Sequence, residues 1–227
     1  LHAFDYDVLV KRAGGVPTIT VRQAKPGEVI KTLDGVDRTL TVDDLVIADT
    51  VGAIALAGVM GGLDTEVTAT TKTIFLESAS FDFVSVRKTA HKFTLFSEAS
   101  TRFSRGVHPE LVLPAAKHAA LLLSQSANGQ VLSGIIDVYP APLPKQVIHL
   151  KTSEIRRLLG IEFPSADVER VLSALQFQLT AVSDGWNVTV PSTRLDIQAG
   201  AADLIEELAR IYGYDRLPST LLSGELP

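Results

Sequence analysis

Asp44-Leu45-Val46-Ile47-Ala48-Asp49, then Thr50-Val51-Gly52, then Ala53-Ile54-Ala55-Leu56-Ala57-Gly58-Val59, is the stretch that decides the fold class. Two short apolar runs bounded by turn residues read as buried strands, and the brief connection through Gly52 pairs them. Gly61-Gly62 closes the second run. Upstream, Val29–Leu33 and Arg38–Thr41 flank Asp34-Gly35 and read as a hairpin, because Asp-Gly suits the positive φ of a tight turn. Thr18–Arg22 and Thr73–Glu77 read as further strands, and Val84–Lys92 as a short basic helix. Pro109 opens a longer helix that runs to about Gln125 and stops at Asn128-Gly129. Its repeat of Leu113, Ala116, Ala120 and Leu123 predicts a core-facing side, and Pro114 should kink it or break its start. Val131–Val138 reads as one more strand.

Tyr139-Pro140-Ala141-Pro142-Leu143-Pro144 is a stiff, extended linker, and the domain boundary is placed there, giving domains over 1–143 and 144–227. Beyond it, Thr152 and Ser165 read as helix caps, Phe177–Val182 and Trp186–Val190 as a hairpin around Asp184-Gly185, and Ala202–Tyr212 as a last helix ended by Gly213. The expected class is therefore α+β: a first domain of mixed or antiparallel sheet with packed helices, then a small helix-helix-hairpin-helix domain.

The 227 residues, 46% hydrophobic and 21% charged, suffice for one large or two modest cores. No run of about 18 apolar residues is present to span a bilayer. Leu1 rather than Met opens the chain, so it reads as a piece of something longer. The absence of cysteine excludes disulfides, thiolate metal sites and a Cys nucleophile, and fits a cytoplasmic location. The net charge of −5 argues against bulk nucleic-acid binding, DNA included; any RNA contact must use a local patch or lean on another subunit or domain.

Two constellations carry chemistry. In Thr73-Ile74-Phe75-Leu76-Glu77-Ser78-Ala79, an apolar strand ends on a carboxylate that is either partnered or lines a pocket. Downstream, Ser97-Glu98-Ala99-Ser100-Thr101-Arg102-Phe103-Ser104-Arg105-Gly106 is a run of small residues in which Arg102 and Arg105 can neutralise phosphate or carboxylate. Gly61-Gly62 offers a second place for close backbone approach. The plainer reading is a salt-bridged surface glutamate and an ordinary serine-rich loop. The second constellation is Asp196, Asp203, Glu206 and Glu207. Residues 203, 206 and 207 share a helix face, with Leu204, Leu208 and Ile211 expected toward the core. A hard cation such as Mg²⁺ would offset their repulsion, although a solvated face that complements the helix dipole is the simpler reading.

Leu1-His2-Ala3-Phe4-Asp5, Gly58 to Gly62, Leu76-Glu77-Ser78-Ala79-Ser80-Phe81 and Ser97 to Pro109 together resemble the tRNA-editing domain of bacterial phenylalanyl-tRNA synthetase beta subunits. Arg194-Leu195-Asp196-Ile197 and Asp203 to Asp215 resemble that subunit's adjoining small domain. The resemblance implies hydrolysis of tyrosine wrongly attached to the phenylalanine tRNA. The implied pocket uses His2 and Glu77 as catalytic residues, with Gly61, Gly62, Glu77, Ser97 and Ala99 around the substrate. It also implies Mg²⁺ held by Asp196, Asp203, Glu206 and Glu207 at the junction with the alpha subunit of an ATP-dependent, heterotetrameric (alpha2-beta2) ligase, and weak or absent in the fragment. The chain departs from the family pattern at Thr101, Ser104 and His108, where His, Glu and Asp are usual, and one residue lengthens the Asp196–Asp203 spacing. The resemblance also places the ATP-binding catalytic module in the alpha subunit, so it implies no aminoacylation centre here, and no Gly-x-x-x-x-Gly-Lys-Ser/Thr phosphate cradle is present. The alternative is a non-catalytic tRNA-docking or subunit-assembly module with editing lost.

Overall fold

The computed structural model describes residues 1–198 and 200–219. The chain divides into two compact units, Leu1–Pro140 and a second from Ala141 onward. The first contains β1 (His2–Asp5), α1 (Tyr6–Ala13), β2 (Thr20–Gln23), β3 (Val29–Lys31), β4 (Asp37–Thr39), β5 (Leu45–Ala48), β6 (Ala53–Leu56), β7 (Met60–Gly61), β8 (Ile74–Glu77), α2 (Phe83–Phe93), α3 (Glu98–Phe103) and α4 (Val112–Ala127). All its pairings are antiparallel: a four-stranded sheet ordered β2-β5-β6-β7, a β3-β4 hairpin and a β1-β8 ribbon.

The unbroken apolar runs of β5 and β6 are explained by burial on both faces. Val46, Ala48 and Leu56 enter one core with Ile30, Leu40, Val86, Leu95 and Phe103. Ile47, Ile54 and Ala55 enter another with Phe4 and Leu9. A strand facing water would have alternated. The helix ends follow local chemistry. Asp5 accepts from Val8 N (3.0 Å) to start α1, and Asp82 accepts from Ser85 N (2.7 Å) to start α2. The Lys92–Asp44 ion pair and the Thr89–Asp44 hydrogen bond (3.2 Å) tie α2 beside β5.

The second unit contains β9 (Val147–Lys151), α5 (Thr152–Leu159), α6 (Ser165–Ala174), β10 (Gln178–Val182), β11 (Gly185–Thr189) and α7 (Ala201–Tyr212). Its antiparallel sheet is ordered β10-β11-β9 and shares one core with the helices through Leu150, Ile155, Leu172, Trp186, Val188, Leu204 and Leu208. The α+β expectation holds for the whole chain, with antiparallel sheets throughout.

Several local expectations fail. Val131–Val138 forms no strand, and Val131, Leu132, Ile135, Ile136 and Val138 are exposed. β-branched residues favour extension, but a strand needs a pairing edge, and none of the described residues supplies one. At Pro114 the second of the two alternatives holds, a broken start: a short 3₁₀ turn over Pro109–Leu111 precedes α4, so the proline falls in the first α-helical turn, where no intrahelical donor is lost. None of Leu113, Ala116, Ala120 and Leu123 is fully buried. Thr152 and Ser165 are first helical residues rather than caps; Lys151 and Pro164 hold the cap positions without side-chain bonds. Strand β9 was not anticipated, although Ile148 and Leu150 alternate with exposed neighbours in it. On α7 it is Glu207 that is buried, with Leu204, Ile205, Leu208 and Ala209, whereas Ile211 is 45% exposed.

Candidate functional site

Strand β1 pairs with β8 so that His2 lies opposite Glu77 and Phe4 opposite Phe75. Directly opposed residues, and residues two apart on one strand, share a face. His2, Glu77, Phe4 and Phe75 therefore lie together, with the His2 and Phe4 rings edge to face at 4.5 Å and Phe4 6.3 Å from Phe75. Glu77 stands on an aromatic surface with the imidazole as its cross-strand neighbour.

Gly61, in the edge strand β7, completes the arrangement. A Cβ there would lie 2.5 Å from His2 Cε1 and Nε2, so only glycine lets the imidazole rest on this backbone. Gly62 serves differently. Its N–H donates to Ile54 O (2.8 Å), and a Cβ would lie 2.6 Å from that oxygen, so it is a packing residue of the sheet. Ahead of β7 the chain turns at Gly58, with φ 69° and no room for a Cβ against Val86 and Phe81.

Ser97 joins the site through this turn. Its hydroxyl donates to Val59 O (2.6 Å), two residues before Gly61, and accepts from Ser100 N (3.0 Å) as the N-cap of α3. Ser100 donates to Leu95 O (2.9 Å). Both hydroxyl protons are committed to carbonyls, which makes these serines structural rather than nucleophilic. Ala99, in the first turn of α3, packs against the core that holds Val59 and Phe103. The structure thus brings His2, Glu77 and Gly61 into one cluster, and places Ser97 and Ala99 behind the turn that carries Gly61.

The electrostatics follow from the burial. Removal from water pushes the Glu77 carboxyl up to about 6 from its ordinary 4.5. Burial holds His2 below its ordinary value, so the imidazole is neutral at neutral pH. His2 Nε2 is buried and has no hydrogen-bond partner. A buried imidazole nitrogen of this kind has a hydrogen bond still to make when a ligand or a water reaches it, and a carboxyl near 6 is mostly ionised at pH 7 yet poorly solvated. Sequence reasoning missed the aromatic floor of Phe4 and Phe75; its signal was their spacing of two residues from His2 and from Glu77.

The positions that departed from the expected pattern have local roles. His108 takes a cap position: its Nδ1 accepts from Glu110 N (3.2 Å), a bond that an aspartate would also make. Ser104 O accepts from Arg87 Nη2 (2.6 Å), and Thr101 is exposed on α3.

The acidic residues of the second unit are engaged otherwise. Asp196 is paired with Arg194 (2.6 Å), and Glu207 lies between Arg194 (2.8 Å) and Arg210. Asp203 accepts from Gln198 N (2.6 Å), and Glu206 is exposed. Among the described residues no three His, Asp or Glu side chains are grouped to hold a metal ion. Arg194 and Arg210 already neutralise Asp196 and Glu207, so these two carboxylates as arranged do not fit a shared Mg²⁺. No described helix is long and apolar enough to cross a membrane.

Residues 1–128 match the B3/4 domain family, and residues 148–214 match the tRNA synthetase B5 domain. The chain is 46% identical over 221 residues to the phenylalanine–tRNA ligase beta subunit of Moorella thermoacetica. It is 43% identical over 222 residues to that of Geobacter sulfurreducens, and 45% over 223 to that of Streptococcus pyogenes serotype M1. Each alignment takes in 97% of this chain and 27% of the relative, so the chain spans about a quarter of these curated relatives. In fold it is similar to an N-terminal fragment of the phenylalanyl-tRNA synthetase beta-subunit from Pyrococcus horikoshii, with a TM-score of 0.50 at 16% identity over 94% of this chain and 59% of that one.

Proposed function

We propose, on the premise that this chain belongs to the B3/4 domain family and carries a tRNA synthetase B5 domain behind it, that its first unit hydrolyses tyrosine mischarged on the phenylalanine tRNA. The observation that carries this reading is Glu77: a carboxyl raised to about 6 on an apolar face, beside an imidazole whose Nε2 has no partner. Phenylalanine and tyrosine differ by one hydroxyl. An ionised Glu77 accepts the phenol hydrogen bond, whereas a phenylalanine in the same place would leave a desolvated charge unpaired. Sites built to bond a substrate hydroxyl reject the analogue lacking it by about 10⁴–10⁵. An editing site needs that preference, because it must spare the correct product.

His2 is the group for the water. Its neutral Nε2 orients a water molecule and takes a proton from it as the oxygen attacks the ester carbonyl, help worth about 10²–10⁴ in rate. The proton then passes to the departing ribose oxygen. Gly61 lets the imidazole sit deep enough to be kept neutral. Both groups protonate in acid, Glu77 through about 6 and His2 below its ordinary value, so deacylation falls as pH drops below about 6.

The second unit is assigned to holding the alpha subunit and tRNA of a heterotetrameric ligase in the cytoplasm, a role for which its B5 match is the support. Deacylation of Tyr-tRNA by the complete synthetase is the test. Glu77→Ala should lose most of the preference for Tyr-tRNA over Phe-tRNA; unchanged deacylation of both would remove Glu77 from the mechanism and favour a docking module without editing.

A further inference from the structure

A cleft of about 290 Å³ opens between α2 and α3, and its lining includes Arg87, His91, Phe96, Thr101, Ser104 and Arg105. No carboxylate lines it. Among the described residues, the only arginines of this chain without a carboxylate partner are Arg87, Arg105 and Arg216, and Arg216 lies over the Tyr212 ring at 5.5 Å. In a protein of net charge −5, two of these three guanidiniums share one cleft. Arg87 is held in place, with Nη2 on Ser104 O (2.6 Å) and its guanidinium 5.6 Å over Phe83. Lys88, outside the lining but next to Arg87 on α2, is exposed and also without an ion pair among the described residues. Phe96 is 63% exposed, yet its ring is fixed edge to face against His91 at 5.3 Å.

We propose that this cleft binds single-stranded RNA, with Arg87, Arg105 and Lys88 on successive phosphates and one unstacked base on Phe96. Cations alternating with a fixed aromatic face suit a chain of alternating phosphate and base. A phosphopeptide would satisfy the guanidiniums but gives Phe96 no stacking partner, and a membrane would need a broader apolar surface. The cleft is linked to the candidate site through α3, which supplies Thr101 and runs into Ser104 and Arg105: the helix is capped by Ser97, whose hydroxyl bonds Val59 O two residues before Gly61. An RNA end lying here delivers its terminal ester toward His2 and Glu77. In this last step the proposal rests on the editing reading.

The probe is an uncharged acceptor-stem minihelix with a single-stranded 3′ tail, labelled for fluorescence anisotropy and titrated at several KCl concentrations onto the complete protein that carries this region. Phe96→Ala should weaken binding roughly tenfold or more, the loss expected of one stacked base. Arg105→Glu should weaken binding and flatten the salt dependence by about 0.7 in log–log slope for each phosphate no longer neutralised. Neither substitution removes a side-chain hydrogen bond within the fold, and Lys88→Glu should act in the same direction. Arg216→Ala should change nothing. Unchanged affinity and slope in both Phe96→Ala and Arg105→Glu overturn the proposal, as does binding of phosphoserine peptides or phosphatidylserine vesicles with none to the minihelix. With Tyr-tRNA as substrate the cleft variants should raise KM and spare kcat. If Glu77→Ala deacylates normally while the cleft variants weaken minihelix binding, the RNA cleft stands and the editing reading falls.

Discussion

Two places in this molecule hold a glutamate away from water, and they treat it in opposite ways. On α7, burial would raise Glu207, but hydrogen bonds from Arg210 and Arg194 bring its carboxyl below the ordinary range. Arg194 in turn is shared with Asp196 and held over the Phe177 ring at 5.5 Å. Charge there is balanced inside the fold. On β8, Glu77 is given two phenylalanines and a neutral imidazole, and its carboxyl rises to about 6. A satisfied cluster holds a domain together and has nothing left to offer a ligand. A desolvated pair with an orphaned nitrogen costs stability and is where a ligand is recognised.

The sharpest way to break this contrast is Glu207→Ala, which leaves Arg194 with only the exposed Asp196. Removing one partner of a buried pair should cost about 3 kcal/mol. Trp186, the sole tryptophan, is buried in the same core, so its fluorescence in urea reports this loss directly. Gly61→Ala comes next. A methyl 2.5 Å from the imidazole must expel His2, at about 2 kcal/mol of overpacking, and deacylation should fall about 10²-fold with it. Retained activity would show that the imidazole need not sit on Gly61.

Glu77→Gln tests the sign of the opposite effect. The raised carboxyl contributes its full stability below pH 4.5 and loses it as pH rises through about 6. A neutral glutamine suffers no such loss. The variant should match the parent near pH 4 and exceed it by up to about 2 kcal/mol at pH 7, read by circular dichroism in urea. A variant less stable than the parent at pH 7 would mean that Glu77 has an unseen partner. The smallest effect is Ser97→Ala, about 1 kcal/mol for the lost cap of α3, with deacylation reduced only through the turn it ties to Gly61.

The same contrast separates what was legible from what was not. The strand pair around Gly52 and the Asp34-Gly35 hairpin were readable because apolar runs and turn residues are local signals. Glu77 was readable as a candidate for the same reason, a lone carboxylate ending an apolar strand. The Mg²⁺ expectation came from the resemblance; carboxylate spacing by itself favoured a solvated face, and it cannot show that Arg194 and Arg210 reach back among the acids. Val131–Val138 had strand composition without a strand partner, and pairing is a property of two segments.

By itself, then, the sequence determined the α+β class, most helix and strand positions, and a lone strand-end carboxylate as a candidate, since these rest on periodicity, turn chemistry and side-chain character. Only the tertiary structure decided which of two acidic groups is neutralised and which is left poised. It set His2 across from Glu77 and over Gly61, and two unpaired guanidiniums in one cleft. A carboxylate's chemistry depends on how much water and which charges surround it, and those neighbours come from distant parts of the chain.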